Sequence, residues 1–338
     1  MKVAIFGATG ETGQSIVKGL LDSSEHFDIT ALVRPSQPET DKVSMLRSQG
    51  VEIVPVDLKS SPSEVVPFIV GIEVIICSVL SDAVVEQQTL ATAAKEAGVA
   101  RFVPSFWGPV MPAKGISKIR EAKEDILDHI KRLYLPYTAI DIGWWTQLSV
   151  PRLPSGKIDS TIPIPMKQIT GNGDTETALV DLRDIGRFVA RIIVDSRTLN
   201  RMVFAYGEIW TQNQIWDLLR DKSGEEFPKV YQSADEILEN ISADEILENI
   251  RSANEDIKQG STEFQTQLKL NGGQYMYSWG IRGDNTPACA KYLGYLDAKE
   301  LYPDLQASKL QDYIDEILDG STHIIYESRQ DWKSLSKE

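Results

Sequence analysis

The chain has 338 residues, 42% hydrophobic and 25% charged, with 35 Lys+Arg against 49 Asp+Glu for a formal net charge of −14. That composition excludes collagen, low-complexity fibre and wholesale disorder, and the length fits about two domains or one large domain with an embedded subdomain. The acidic balance argues against nucleic acid and against an anionic membrane surface as partners, because both are bound through Lys and Arg.

The first 35 residues carry the strongest pattern. Residues 2–6 are a short apolar run fit for a buried strand, followed at once by Gly7-Ala-Thr-Gly10-Glu-Thr-Gly13. Ile16, Val17, Leu20 and Leu21 then recur at helical spacing, and residues 28–33 form a second strand. Strand, glycine turn, helix and strand make the first βαβ unit of a dinucleotide-binding fold. Gly7 permits the tight turn, Gly10 lets the backbone approach a pyrophosphate, and Gly13 lets the helix pack on the sheet. The helix N-terminus offers unpaired N–H groups to the phosphates. The second strand ends in Arg34, where an acidic residue would select NAD; an arginine pairs with the 2′-phosphate, so NADP(H) is expected, with Lys42 as a second cation.

The alternation continues. Residues 51–56 are a strand ending at Asp57, and 72–79 are a further apolar run. Residues 84–97 form a helix stopped by Gly98, and 101–103 a strand ending in Pro104-Ser105-Phe106-Trp107-Gly108. Residues 117–133 form a helix and 137–142 a strand. This predicts an α/β fold with a Rossmann-type, doubly wound parallel sheet, whose ligands sit at the carboxyl ends of the strands. Gly7, Arg34, Asp57, Ser78 and Ser105 to Trp107 fall there.

After Gly143 the pattern loosens. Residues 144–178 predict loops and short strands, 181–195 a loop entering a helix, 211–222 a helix capped by Thr211, and 285–320 mostly helix. The expected division is a NAD(P)-binding domain over 1–150, a smaller, mainly helical substrate subdomain over 151–325 with segments returning to the sheet, and a polar tail over 326–338. An identical nine-residue stretch occurs twice, at 233–241 and 242–250, each copy opening with a Ser-x-x-Glu capping box. Nine residues turn a helix face by about 180°, so two short helices or a kink near Ser242 are expected. The duplication reads as a surface hairpin, or else as a partner-binding helix pair.

Cys77 and Cys289 are the only cysteines and His26, His129 and His323 the only histidines, so neither a disulfide framework nor a zinc site is expected. The acidic residues form no calcium loop, and Arg282-Gly-Asp284 reads as chance. With no signal segment and no run long enough to span a bilayer, the expected location is cytoplasmic. The Tyr-x-x-x-Lys pair of short-chain dehydrogenases matches only Tyr295 to Lys299, outside the sheet pattern, and reads as chance. Lys123 stands out instead, because it falls in the apolar arc of Ile119, Ala122, Ile126, Leu127, Ile130 and Leu133. Burial makes a lysine usable in acid–base work, but a lysine can also lay its stem on the core and keep its head in water; the pattern leaves both open.

These features together resemble the NmrA-like and isoflavone-reductase-like branch of the atypical short-chain dehydrogenases. They are the Gly7–Gly13 loop, Arg34, Arg101-Phe-Val-Pro-Ser105, the helix bearing Lys123, Leu135-Pro-Tyr-Thr138, Asp184-Ile-Gly-Arg-Phe-Val-Ala190 and Gly283-Asp-Asn-Thr-Pro287. The resemblance covers the chain to about residue 320 and is weakest over 225–265. It implies NADP(H) held by Gly7, Thr9, Gly10, Glu11, Thr12, Gly13, Arg34, Asp57, Leu58, Ser78, Val79, Ser105, Phe106 and Lys123. It also implies Lys123 as general acid/base while hydride from NADPH adds to a small aromatic or conjugated substrate of secondary metabolism, such as an enone or quinone methide. The plant enzymes follow Pro-Ser with Glu-Phe-Gly; here Phe106-Trp107-Gly108 stands instead. A larger aromatic surface is therefore expected, with Trp107, Trp144 and Trp145 lining the substrate. The alternatives are a non-catalytic NAD(P)-sensing regulator that binds a protein, and a cofactor-assisted isomerase or cyclase. A monomer or homodimer is expected.

Overall fold

The structure is a computed structural model that describes residues 1–36, 40–79, 83–162, 164–242 and 270–326. The near-continuous apolar runs of the first half become strands covered on both faces. These are β1 (Lys2–Phe6), β2 (Asp28–Val33), β3 (Glu52–Pro55), β4 (Val74–Cys77) and β5 (Arg101–Val103), parallel throughout and in the order β3-β2-β1-β4-β5. That order carries a topological switch between β1 and β4, so a crevice opens beside the glycine loop. The array continues past β5. Phe102 bridges to Tyr137 and leads into β6 (Thr138–Ile142), which pairs in parallel with Arg201–Ala205, which in turn pairs with Leu296–Asp297. Two strands of the C-terminal half thus stand in the same parallel array as the nucleotide-binding strands.

The helices start where their chemistry allows. Helix α1 (Glu11–Leu21) begins on the glycine loop, and α2 (Asp41–Ser48) is capped by Thr40. Helix α3 (Pro62–Ile69) has a Ser61–Glu64 capping box with Pro62 in the first turn, where a missing N–H costs nothing. Helices α4 (Val84–Glu96) and α5 (Lys118–Arg132) flank β4, β5 and β6. Asp181 caps α6 (Leu182–Ile192), whose buried face includes Ile185, Phe188, Val189 and Ile192. Helix α6 lies directly on α1. A Cβ added to Gly19 would fall 2.1 Å from the Gly186 carbonyl carbon, and one added to Gly186 would fall 1.8 Å from the Ser15 carbonyl oxygen. The Ser15 hydroxyl donates to Leu182 O and accepts from the Gly186 amide. A helix of the C-terminal half is thereby fixed to the dinucleotide helix at backbone contact.

The C-terminal half has a core of its own, which includes Val150, Ile162, Trp216, Tyr313 and Ile317. Small sheets brace it. Trp144–Trp145 pairs with Thr177–Val180, which pairs antiparallel with Glu208–Trp210, and Ile169–Thr170 pairs with Tyr231–Gln232. Helix α7 (Gln212–Ser223) has the expected Thr211 cap, reinforced by Gln214, and ends at Gly224 with φ 68°. In the first copy of the repeat the Ser233–Glu236 capping box forms and Ile237 is buried. From residue 243 the second copy, including the expected kink or second helix, lies outside the described residues, as do residues 327–338 of the tail. Tyr326, at the start of that tail, packs against the main core.

Replacing Gly186 by alanine forces α6 away from α1. We expect a loss of about 2–3 kcal/mol, the upper part of the usual overpacking range, read as a lower urea midpoint; an unchanged midpoint would show that the two helices do not meet at this glycine.

Candidate active site

The carboxyl ends of the strands bring the expected nucleotide residues together. Gly7 has φ +90°, and a Cβ there would sit 2.1 Å from Ser78 O, so this glycine joins the ends of β1 and β4. A Cβ on Gly13 would sit 2.1 Å from Gly7 O, which requires glycine for the helix to start this close to the loop. Gly10 is different. It is exposed, and a Cβ there would meet nothing nearer than Gly7 O at 3.4 Å. It is also the N-cap of α1 and supplies no side-chain cap, so the first-turn amides are left for an anion. This loop fits a dinucleotide pyrophosphate. Thr9 gives its carbonyl to Gln14 Nε2, and Thr12 is buried against the helix start.

Past β2, Arg34 is exposed and makes no ion pair among the described residues. Lys42 lies 3.7 Å from Glu11, so this second cation faces the helix start rather than standing free. Asp57 is exposed and accepts the Lys59 amide at 2.9 Å, while Leu58 beside it is buried. Ser105 is fully engaged. Its hydroxyl donates to Val79 O at 2.7 Å and accepts from Val79 N at 3.1 Å, and its amide donates to Gln87 at 3.0 Å. Its role here is to clamp the Ser78–Val79 turn against the β5 end.

The helix α5 face carries a cluster of buried ionisable groups. Lys123 is half-buried, and its ammonium donates to Phe106 O at 2.9 Å. Burial pushes its pKa down to about 8; nearby Asp141 opposes that shift and Arg120 adds to it. Arg120 is 4% exposed and Asp141 fully buried, and they form an ion pair. Tyr295 completes the cluster. Its hydroxyl accepts from Arg120 Nη2 at 2.6 Å and donates to Asp141 Oδ2, while Arg120 Nε donates to Glu124 at 2.8 Å. Asp141 Oδ1 is buried without a hydrogen-bond partner among the described residues. Tyr295 therefore does stand near the lysine of the site, but Lys299 does not accompany it, because its ammonium donates to Gly207 O at 2.8 Å.

The aromatic residues divide in a way the sequence does not show. The Phe106 ring is buried with Leu127 and Ala139 beneath the Arg120 guanidinium, so what it offers the site is its carbonyl. The Trp107 indole donates to Cys77 O at 2.7 Å at the end of β4. Trp144 and Trp145, adjacent in a strand, face opposite ways. Trp144 packs against Tyr275 and Trp279 with ring centroids 5.9 and 5.7 Å apart, and Trp145 stacks on Tyr326 at 6.1 Å. The Tyr326 amide donates to Glu11 at 3.2 Å, which brings the C-terminal segment onto the start of α1. Gly108 lies at the floor. The point where its Cβ would stand is 3.2 Å from Lys123 Nζ and 3.5 Å from both Phe106 O and the Tyr275 hydroxyl.

Arg120, Asp141, Tyr275 and Tyr326 were not anticipated. Two of them left a signal: Arg120 shares the Lys123 face three residues earlier, and Asp141 is a lone acid inside the apolar strand Thr138–Ile142. Tyr275 and Tyr326 left none.

A model of the NmrA-like family matches residues 1–314. The asnovolin J 5′,6′-dehydrogenase of Aspergillus novofumigatus is 38% identical over 95% of this chain and 96% of its own length. Eugenol synthase 2 of Clarkia breweri is 27% identical over 94% of this chain and 98% of its own. Among solved structures, the leucoanthocyanidin reductase–NADPH complex of Vitis vinifera superimposes with a TM-score of 0.75 at 20% identity, covering 94% of this chain and all of that one, a likeness of fold.

A lysine held near pH 8 by burial binds fewer protons in the folded state than in the unfolded state between that value and the ordinary lysine range. Stability should therefore rise with pH across that window, and Lys123→Met should abolish this part of the rise. Parallel slopes for wild type and variant in urea melts between pH 7.5 and 10 would show that the ammonium is not desolvated.

Proposed function

The chain belongs to the NmrA-like family, and from the geometry of its site we propose that it is an NADP(H)-dependent oxidoreductase acting on a small aromatic or conjugated carbonyl substrate, with Lys123 handling the proton. The observation that carries this reading is the Lys123 ammonium, drawn out of water beside the nucleotide crevice and aimed at the side-chain-free floor at Gly108. A protein that only sensed the cofactor has no use for a costly lysine at that point.

The uncapped start of α1 receives the pyrophosphate, and Arg34, which makes no ion pair among the described residues, takes the 2′-phosphate. Bound there, NADPH supplies hydride chemistry. Lys123 spends one of its three N–H bonds on Phe106 O, which fixes its direction and leaves two for a substrate oxygen. Below about pH 8 it is an ammonium and polarises a carbonyl; having given up its proton it is a base of suitable strength. The same groups serve both directions. One relative is named a dehydrogenase and a solved structure a reductase, and withdrawal of a hydride from a saturated ketone reverses conjugate addition. Trp144, with Tyr275 and Trp279 against it, forms an apolar wall suited to a flat molecule and helps to exclude water. The relatives' names, with their plant and fungal small molecules, support a natural product of secondary metabolism as the substrate.

NADPH oxidation with a panel of aryl enones and quinone methides, and NADP⁺ reduction with the matching saturated ketones, tests this. We expect turnover with at least one compound and a loss of about 10²–10⁴-fold in kcat for Lys123→Ala, with cofactor affinity changed only a few-fold. Tight NADPH binding with no turnover in either direction, together with capture of a defined protein partner, would favour the sensor. Arg34→Asp should weaken NADPH roughly tenfold to a hundredfold and leave NADH almost unaffected; equal NADPH affinity removes the 2′-phosphate assignment.

A further inference from the structure

The Lys123 ammonium belongs to the nucleotide-binding half, but the group opposite it does not. Tyr275 lies in helix 270–276, which runs into a π-helical stretch, Tyr277–Arg282. A π-turn re-aims the side chains around it and is common at functional sites. The segment is tied to the helix that carries the lysine: Gln274, the neighbour of Tyr275, is buried and accepts the amide of Lys118 at 3.0 Å, at the first residue of α5. The Tyr275 ring rests against Trp144, and its hydroxyl makes no hydrogen bond among the described residues. That hydroxyl and Lys123 Nζ stand 3.5 and 3.2 Å from one point, the place a Gly108 side chain would fill. A phenol that makes no hydrogen bond among the described residues and an ammonium with donors to spare thus meet, from opposite halves of the molecule, over the bare backbone of Gly108.

We propose that Tyr275 is a second catalytic residue, donating to the substrate oxygen the proton that Lys123 then restores. This rests on the reductase reading and names its immediate proton donor. In the reducing direction the substrate's electrophilic carbon gains a hydride from NADPH, and the π electron pair of the conjugated system moves onto its oxygen. The Tyr275 O–H bond breaks, and its proton goes to that oxygen. Lys123 Nζ–H then breaks to re-form the phenol, and solvent reprotonates the amine. The substrate has gained H⁻ and H⁺, NADPH has lost two electrons and a proton in the form of hydride, and both side chains are unchanged. The order of acidities supports the relay. Burial raises the Tyr275 hydroxyl to about 12, so it is intact at neutral pH, while Lys123 at about 8 is the stronger acid and reprotonates a tyrosinate downhill.

Tyr275→Phe removes one oxygen and keeps the ring against Trp144. Two readouts separate this proposal from the reductase reading. The first is turnover of whichever conjugated substrate the panel yields: kcat should fall about 10²–10⁴-fold while KM and NADPH affinity change less than threefold. The second needs no turnover. 4-Nitrophenol, whose anion mimics the developing oxyanion, is titrated into the protein–NADP⁺ complex and read by its absorbance; Tyr275→Phe should lose at least tenfold in affinity, and Lys123→Met likewise, with melting temperatures unchanged for Tyr275→Phe. Tyr275-dependent binding of the anion with no turnover of any substrate would sink the reductase reading and keep the oxyanion site. A Tyr275→Phe variant that matches wild type within threefold in anion binding, whether or not the wild type turns over, would overturn the role of the hydroxyl, as would a wild type that does not bind the anion.

Discussion

The buried ion pair between Arg120 and Asp141 is the constraint around which the site is built. One partner comes from α5, the other from β6, and Tyr295, which closes the cluster, comes from the far C-terminal region. A pair taken wholly out of water must have its remaining hydrogen bonds met, and loss of one partner typically costs about 3–5 kcal/mol. Here the guanidinium's donors go to Asp141, Glu124 and Tyr295, with the Phe106 ring packed against it, while Asp141 Oδ1 finds no partner among the described residues. This fixes the rotation of α5 about its own axis. With Arg120 turned inward, the residue one turn later on the same face is Lys123, so the ion pair also decides where the lysine points. The same two charges set its acidity from opposite sides, with Asp141 holding the proton on and Arg120 driving it off, while desolvation outweighs both.

A second constraint carries the nucleotide loop into this arrangement. Helices α1 and α6 approach until Gly19 and Gly186 touch, which is possible only without side chains. The helix that starts on the glycine loop is thereby registered against the C-terminal half, and so is everything that half brings to the seam. Trp144 and Trp145 then work by simple alternation. One indole joins Tyr275 and Trp279, and the next joins Tyr326 above the start of α1. The two-residue strand Trp144–Trp145 faces both sides of the site at once.

How much of this could be read from sequence follows from the range over which each pattern acts. The glycine loop, the alternating strands, the Thr211 cap and the Asp181 entry to α6 are set by residues within a turn or two of one another, and each stands at the expected place. Lys123 was open because an apolar arc says which face is buried but not what the face meets, and its neighbours, the Phe106 carbonyl and the Gly108 backbone, come from a distant stretch of chain. Phe106 was expected at the cofactor; its ring is core, because the side chain that follows Ser105 turns under Arg120, and its carbonyl is what faces Lys123. Tyr295 read as chance because the relevant partner is not the lysine four residues later but an aspartate 154 residues earlier. Tyr275 has no periodicity to betray it, since its position depends on a helix from one half docking through Gln274 onto the first turn of a helix from the other.

The net charge of −14 sets the last problem, because NADP(H) is itself a polyanion and the global field opposes it. Local features have to prevail, and the least promising of them is Glu11, a carboxylate in the first turn of the very helix that should attract phosphate. The side chain is drawn aside rather than left in the crevice. Lys42 lies 3.7 Å from one oxygen, His323 3.8 Å from the other, and the Tyr326 amide donates to it at 3.2 Å. Glu11 thus gains in the folded chain a set of partners that α1 alone does not provide, and two of the three come from the last described residues. In the proposed binding mode the amides of the first turn and Arg34 would then act on the cofactor with less of that carboxylate's field against them. The C-terminal segment therefore does electrostatic service at a loop more than 300 residues away, a contact that no local pattern in the sequence announces.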